Sequence, residues 1–283
     1  MISGLKKARI EIIRAVSLGL EDCQPDSNGV RFPAQRTQTE ISFPEETYLD
    51  EDLSREDFWS RFRVETLVAE LERKQIDVIW ELGGGDGRVS IPLISNGLGV
   101  ISVEPLYSGC VKVAKHGIPV FCGTIQDLKL PKGILPAIGF FDVLEHIEND
   151  AEFLNEVHRC LATNGRIFLT VPAHQWLYSN HDVALGHFRR YSKAALEERL
   201  LSAGFVVEKI GFLFSLLVIP ALFLRRIPFV FGKKLEVKQV LDCAETVLRL
   251  PKVLNEMLLT LSRIESKLRL PVGLSLFAVA KKI

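Results

Sequence analysis

The stretch Val78-Ile-Trp-Glu-Leu-Gly-Gly-Gly-Asp-Gly87, followed seventeen residues later by Glu104, limits what this chain can fold into more than any other. The apolar run from Asp77 to Leu82 reads as a buried strand. Gly83, Gly85 and Gly87 then predict a sharp backbone turn, because glycine takes positive φ without steric cost and admits a ligand against the main chain. A helix start follows over 88–96, and Val100 to Glu104 reads as a second strand ending in a carboxylate. Strand, glycine turn, helix, strand and acid make the mononucleotide half of a doubly wound α/β sheet. The acid stands where it can accept both hydroxyls of a ribose.

The glycine spacing narrows the ligand. A dinucleotide fingerprint needs G-x-G-x-x-G, with a pyrophosphate on the helix N-terminus. Here the pattern is G-x-G-x-G, and Arg88 stands where the last glycine would be. No Lys-Ser or Lys-Thr follows, which excludes a nucleoside-triphosphate loop. The implied ligand carries a ribose and no phosphate, packed tightly on the loop, and S-adenosylmethionine fits that description. The same spacing disfavours a nicotinamide oxidoreductase. The bland alternative is a glycine turn that only closes a strand–helix corner.

At 283 residues the chain can bury one large core, or one core with an appended subdomain. Lys plus Arg and Asp plus Glu number 35 each, so no global charge steers it toward nucleic acid. The charges are segregated: residues 40–57 hold eight acids against Arg55 alone, and residues 225–283 hold twelve bases against five acids. Cys23, Cys110, Cys122, Cys160 and Cys243 form no C-x-x-C pair, which argues against a zinc knuckle or a disulfide framework and for a reducing compartment. The first residues lack the uninterrupted apolar core of a secretory leader. The expected location is cytoplasmic, with a peripheral membrane association as a variant.

Residues 5–20 read as a helix, and 21–57, with Pro25, Asn28-Gly29, Pro33, Pro44 and the acid run, as a mostly irregular connection. Apolar recurrence at Phe58, Phe62, Val64, Leu67, Val68 and Leu71 predicts a helix ahead of the first strand. Beyond Glu104 helices and strands alternate: helices over 107–115, 149–162 and 193–203, strands over 118–121, 137–141, 166–171, 205–210 and 274–280. Ligands of such sheets bind outside the carboxyl ends of the strands. Those ends are 81–87, Glu104, 124–127 and 142–146.

Five motifs now stand in order: Glu81-Leu-Gly-Gly-Gly-Asp-Gly87, Val103-Glu104-Pro105, Asp142-Val-Leu-Glu-His-Ile147, the segment Leu161 to Pro172, and Gly186-His-Phe-Arg-Arg-Tyr191. Together they resemble the class I S-adenosylmethionine-dependent methyltransferases, in the broad branch (types 11, 12 and 23) that carries Asp-Val-Leu-Glu-His-Ile. The resemblance covers about half the chain, roughly residues 75 to 212 plus the final strand. It implies a Rossmann-like seven-stranded α/β sheet with helices on both faces. It also implies roles at matching positions. The backbone at Gly83 and Gly85 lines the methionine and ribose, and Glu81 lies near the cofactor's amino group. Glu104 takes the ribose hydroxyls. Thr124 and Ile125 hold the adenine, and Phe141 and Asp142 border the methyl-bearing sulfur. The family often has Asp where this chain has Thr124.

A sulfonium methyl is already activated, so such an enzyme mainly aligns nucleophile, methyl and leaving sulfur. A base is needed only where the acceptor must lose a proton. Candidates are His146, His174, His181 and His187. The segment from His174 to Tyr191, with Asp182, Arg189, Arg190, Trp176 and Tyr178, follows the fifth strand where an acceptor should enter. The catalytic set expected from this is His146, His187 and Asp182, with His146 also readable as a packing residue at a helix start. No metal is expected. The minority alternative places Mg²⁺, Mn²⁺ or Zn²⁺ on Asp142, Glu145 and His146, with His187 or His181 supplied from later, as in a metal-dependent methyltransferase subset that this acid-x-x-Glu-His spacing resembles.

Phe212 to Leu224 is an apolar run interrupted by Pro220 and closed by Arg225-Arg226, too short for a bilayer span. Val247, Leu248, Val253, Leu254, Met257, Leu258, Leu261, Ile264 and Leu268 suggest one or two amphipathic helices over it. The expectation is burial within an inserted helical subdomain. The alternative is a surface dipping into a membrane. The chain thus divides into an extension over 1–57, a methyltransferase domain over 58–212 and 271–283, and a helical insertion or cap over 213–270. The expected acceptor is small, hydrophobic or lipid-linked, and no basic stripe with interleaved aromatics favours nucleic acid. A cofactor-binding protein that acts through a partner is the non-catalytic alternative.

Overall fold

Near-continuous burial along the central strands means a sheet covered on both faces. In a computed structural model of the chain, residues 6, 23–34, 43, 57–232, 235, 239–240, 250–268 and 270–283 are described. The helix expected over 5–20 and much of the acid-rich connection lie outside them.

The described chain runs β1 (Val30–Arg31), α1 (Phe58–Arg73), β2 (Val78–Leu82), α2 (Ser90–Ser95), β3 (Gly99–Glu104), α3 (Tyr107–Ala114), β4 (Val120–Cys122) and β5 (Leu135–Phe141). After a 3₁₀ turn at Leu144–His146 come α4 (Asp150–Cys160), β6 (Leu161–Pro172), α5 (Asn180–Ala184), α6 (Lys193–Ser202) and β7 (Phe205–Leu213). The final part holds α7 (Val218–Ala221), a π-helical turn (Leu222–Arg226), α8 (Ile227–Val230), α9 (Lys252–Leu268) and β8 (Ser275–Lys282).

The strands form one sheet in the order β1-β4-β3-β2-β5-β6-β8-β7. Neighbours from β1 to β6 pair in parallel, and β8 runs antiparallel to both β6 and β7. The order reverses beside β2, which opens the crevice at the carboxyl ends of β2 and β5. The expected seven strands are all present. The eighth is β1, which corrects the reading of its segment as irregular. Asp26 makes the difference: its carboxylate accepts from the Asn28 and Val30 N–H groups at 2.8 and 2.9 Å, closing a turn that lays Val30 and Arg31 beside β4.

One apolar cluster joins Trp80, Ile101, Phe140 and Leu169 to α4 and α6 through Leu154, Val157, Leu196 and Leu200. The opposite cluster joins Ile79, Val100, Phe141 and Phe168 to Phe62, Leu67 and Leu71 of α1. Strand β8 alternates between them, Leu276, Ala278 and Ala280 on one side and Phe277 and Val279 on the other.

Helix α9 packs on α1. Asn255 Oδ1 accepts from the Phe58 N–H at 2.7 Å, and Arg263 pairs with Glu65 and Arg61 with Glu256. The apolar run divides: Phe214 is buried, stacked on Trp59 at 3.7 Å, and Val218 is buried, but Ile219, Phe223 and Leu224 are exposed. Burial of the whole run fails because α9 spends its inner face on α1 and on residues 215–217.

Candidate active site

The β2–α2 turn is built from its glycines. Gly83 has φ +71° and Gly85 +55°, and a Cβ on Gly83 would lie 2.6 Å from Val143 Cγ2. The main chain therefore stays bare over the crevice. The Gly85 N–H donates to Glu104 Oε2 and the Leu106 N–H to Glu104 Oε1, each at 2.8 Å. These bonds aim a buried carboxylate from the end of β3 at the glycine turn. The bare turn and the buried carboxylate thus meet at the carboxyl ends of β2 and β3.

Glu81, one strand inward, is buried and accepts a hydrogen bond from Ser90 Oγ. Burial pushes its carboxyl up to about 8, against the opposing effect of Ser90 and Arg63. Thr124 and Asp127 close the loop after β4: the Thr124 N–H and Oγ1 donate to Asp127 Oδ2 at 2.7 and 2.8 Å. The Ile125 side chain packs into the core.

Asp142 ends β5 in the left-handed region, with φ +55°. Its Oδ1 accepts from Thr170 Oγ1 at 3.0 Å and its Oδ2 is paired with Arg63 from α1. Arg63 is the site residue that the motifs missed. Its side chain is 12% exposed, and its Nε is buried with no hydrogen-bond partner. This guanidinium pairs with Asp142 and also acts to lower the carboxyls of Glu81 and Glu145, so one cation serves three acids at the crevice. The one available signal was its position on the apolar-periodic helix: Arg63 sits among Phe62, Val64 and Leu67, where a charge has no reason to be without a partner.

The expected histidines divide. His146 and His187 meet edge to face, with ring centroids 4.7 Å apart. Desolvation, reinforced by His187, pulls His146 down to about 3, so it stays neutral. His187 Nδ1 lies 2.9 Å from Asp182 Oδ1. Asp182 is fully buried and also accepts from Arg190 Nε and Nη2 at 2.7 and 3.0 Å and from the Ser179 N–H at 2.9 Å. Burial raises its carboxyl, but His187 and Arg190 outweigh that and hold it well below the usual range. With its lone pairs so taken Asp182 cannot touch an acceptor. Its bond to Nδ1 fixes the orientation of the His187 ring, whose side chain is itself nearly buried. His174 stacks on Phe212 at 5.0 Å, and burial pulls His181 down to about 3.

Glu145 lies beside these rings. It is fully buried, and neither carboxyl oxygen has a hydrogen-bond partner. Burial and the charge of Asp142 raise it well above the usual carboxylate range. Ligand atoms of Glu145, His146 and His187 lie within 4.8 Å of one another. Of the residues in the sequence alternative, Glu145, His146 and His187 converge, while Asp142 is engaged by Arg63 and Thr170. Phe43 of the N-terminal extension stands over His146, ring centroids 5.3 Å apart, so the extension reaches this site.

Residues 52–210, more than half of the chain and the span that carries this geometry, match a family described as a methyltransferase domain. The chain belongs to that family. A curated relative, a probable S-adenosylmethionine-dependent methyltransferase of Mycolicibacterium smegmatis, is 32% identical over 88 residues, 30% of this chain and 34% of that protein. The match thus spans about a third of the relative's length. Among solved structures, a SAM-dependent methyltransferase from Archaeoglobus fulgidus aligns with a TM-score of 0.50 at 22% identity, covering 80% of this chain and 98% of that one. Another, from Thermotoga maritima and described as a possible histamine N-methyltransferase, aligns with a TM-score of 0.51 at 16% identity over 82% and 92% of the two chains. These likenesses establish the class I methyltransferase fold.

Proposed function

We propose that the chain transfers the methyl group of S-adenosylmethionine to a small, hydrophobic or lipid-linked acceptor. The observation that carries the reading is Glu104, pinned by two backbone N–H groups over the bare glycine turn. In this reading Glu104 takes the ribose hydroxyls, the backbone of 83–85 lines the methionine, and the 124–127 loop meets the adenine. Arg63 takes the cofactor's carboxylate and Glu81 its ammonium group. The cofactor supplies an electrophilic methyl on a sulfonium. The protein's part is to hold the acceptor in line, exclude water and receive a proton at His187 Nε2. Calorimetric titration with S-adenosylmethionine and S-adenosylhomocysteine, with NAD as control, tests it. Micromolar binding of the first two alone supports the reading, and binding of neither sinks it.

A second reading adds a divalent cation. Glu145 carries it: a fully buried carboxylate with two unpartnered oxygens is costly, and a cation beside two imidazoles removes the cost. Glu145, His146 and His187 would hold the ion, and the Asp182–His187 bond supplies the outer-shell orientation such ligands use. A bound ion lowers the pKa of an acceptor hydroxyl. Titration with Co²⁺, read by visible absorption, should give one site that Glu145→Gln abolishes. No absorption band in the wild type would rule the ion out.

A further inference from the structure

From Glu208 to Glu236 the sequence is strongly apolar, carries Arg225, Arg226, Lys233 and Lys234 near its end, and has no acid in between. The structure anchors the start of this stretch firmly. Phe214 turns with φ +60° and stacks on Trp59, and the Ser215 and Leu216 N–H groups donate to the buried Glu265 of α9 at 2.8 and 2.9 Å. From that anchor the chain continues as an unbroken helical path through α7, the π turn and α8. Val218 faces the core, whereas Ile219, Phe223 and Val230 point outward, with Leu224 76% and Phe231 84% exposed.

Helix α9 repeats the pattern. Val253, Met257, Leu261, Ile264 and Leu268 are spaced four, four, three and four apart, which sets them on one helical face, and all five are exposed. The opposite face buries Leu259, Ser262 and Glu265. The Leu216 N–H donates to Glu265 on the buried face, so the start of the helical path is held against α9. A single exposed leucine is ordinary, but apolar faces exposed on two neighbouring segments of one subdomain mark an interaction surface.

The charge pattern selects what it meets. The molecule is neutral overall, yet the sequence from Lys209 to Leu235 has five bases and no acid, and α9 exposes Lys252 and Lys267. Among the described residues no helix is long and apolar enough to cross a membrane. Short helices with an apolar face and basic ends lie in the plane of a bilayer, where cations meet anionic headgroups. We propose that the exposed apolar faces of 216–231 and α9 dock the protein on an anionic lipid bilayer.

The face is also coupled to the candidate active site. Arg226 Nη1 donates to the Tyr178 carbonyl at 2.7 Å, and Tyr178 Oη to the His187 carbonyl at 2.7 Å. Docking therefore sets the loop that carries His187 beside the headgroups. Capture of an acceptor from the bilayer would be the consequence, and it rests on the methyl-transfer reading; the docking itself does not.

Flotation of the full chain with phosphatidylcholine vesicles, and with vesicles half phosphatidylglycerol, tests the proposal without any methyl transfer. Retention on the anionic vesicles, weakening with salt and reduced about tenfold or more by Phe223→Asp with Leu224→Asp, is the expected result. Val253→Asp with Met257→Asp on α9 should act alike, which gives a second reading should the first pair fail to fold. Calorimetry with S-adenosylmethionine on the same variants separates lost docking from a lost cofactor site. No retention on anionic vesicles, equal retention on both kinds, or retention unchanged by both pairs of substitutions overturns the proposal. So does a lipid-free dimer in sedimentation that the same substitutions dissolve, which would make the face a contact between copies.

Discussion

Two charged residues test the proposed cofactor site most directly, because that reading gives each one part of the ligand. Glu104→Ala removes the charged acceptor at the end of β3 and should weaken S-adenosylmethionine binding by about 1.5–3 kcal/mol in calorimetry. Unchanged affinity would mean that the ribose lies elsewhere. Arg63 was invisible in the motifs, since only the fold brings α1 over the end of β5. Arg63→Ala should cost roughly tenfold in affinity for S-adenosylmethionine and little for its decarboxylated analogue, because the lost partner is the carboxylate. Equal losses for both ligands would assign Arg63 to Asp142 alone. Glu81 adds a proton signature. Held at about 8 by burial, it is mostly protonated at pH 7 and ionises when an ammonium group settles beside it. Cofactor binding at pH 7 should therefore release a proton, seen as a binding enthalpy that varies with buffer ionisation enthalpy and flattens in Glu81→Gln.

At the scale of elements, the glycine turn was legible because its backbone demands are local: positive φ and a bare surface leave glycine as the readable solution. The alternation of strands and helices was legible for the same reason, being written in the periodicity of Trp80, Leu82, Ile101 and Val103. Strand β1 was not, since two residues among prolines carry no period and pair only because Asp26 closes a turn. Nor was the placement of α9. Its sequence shows two apolar stripes, and nothing local says which one is inward. Glu265 decides, by accepting the N–H groups of Ser215 and Leu216 where β7 gives way to the helical path. Glu265→Ala leaves both donors unsatisfied and should destabilise the fold by about 1–3 kcal/mol in denaturant unfolding. An unchanged midpoint would mean that α9 is held by its contacts with α1 alone. The histidine cluster was half legible: sequence named His146 and His187, but the buried, unpartnered state of Glu145 exists only once β5 and the 174–187 loop are folded together.

Across the whole molecule, the site's buried carboxyls contribute to how stability depends on pH. Glu81 and Glu145 are both raised by burial, so the folded chain keeps protons that the unfolded chain releases near 4.5. A group whose folded value is raised contributes its stability below the unfolded value and loses it as pH rises through the folded one. For Glu81 the window runs from 4.5 to about 8. The melting temperature of the ligand-free protein should therefore fall across that range, against the usual gain as paired carboxylates ionise on leaving low pH. Glu81→Gln, which keeps the Ser90 contact without the charge, should flatten the fall. The same argument predicts what a ligand does: a cation beside either carboxyl lets it ionise without cost, so S-adenosylmethionine should stabilise more at pH 8 than at pH 6. Thermal unfolding with and without cofactor at the two pH values checks it. A larger shift at pH 6 would show that neither carboxyl meets positive charge in the complex.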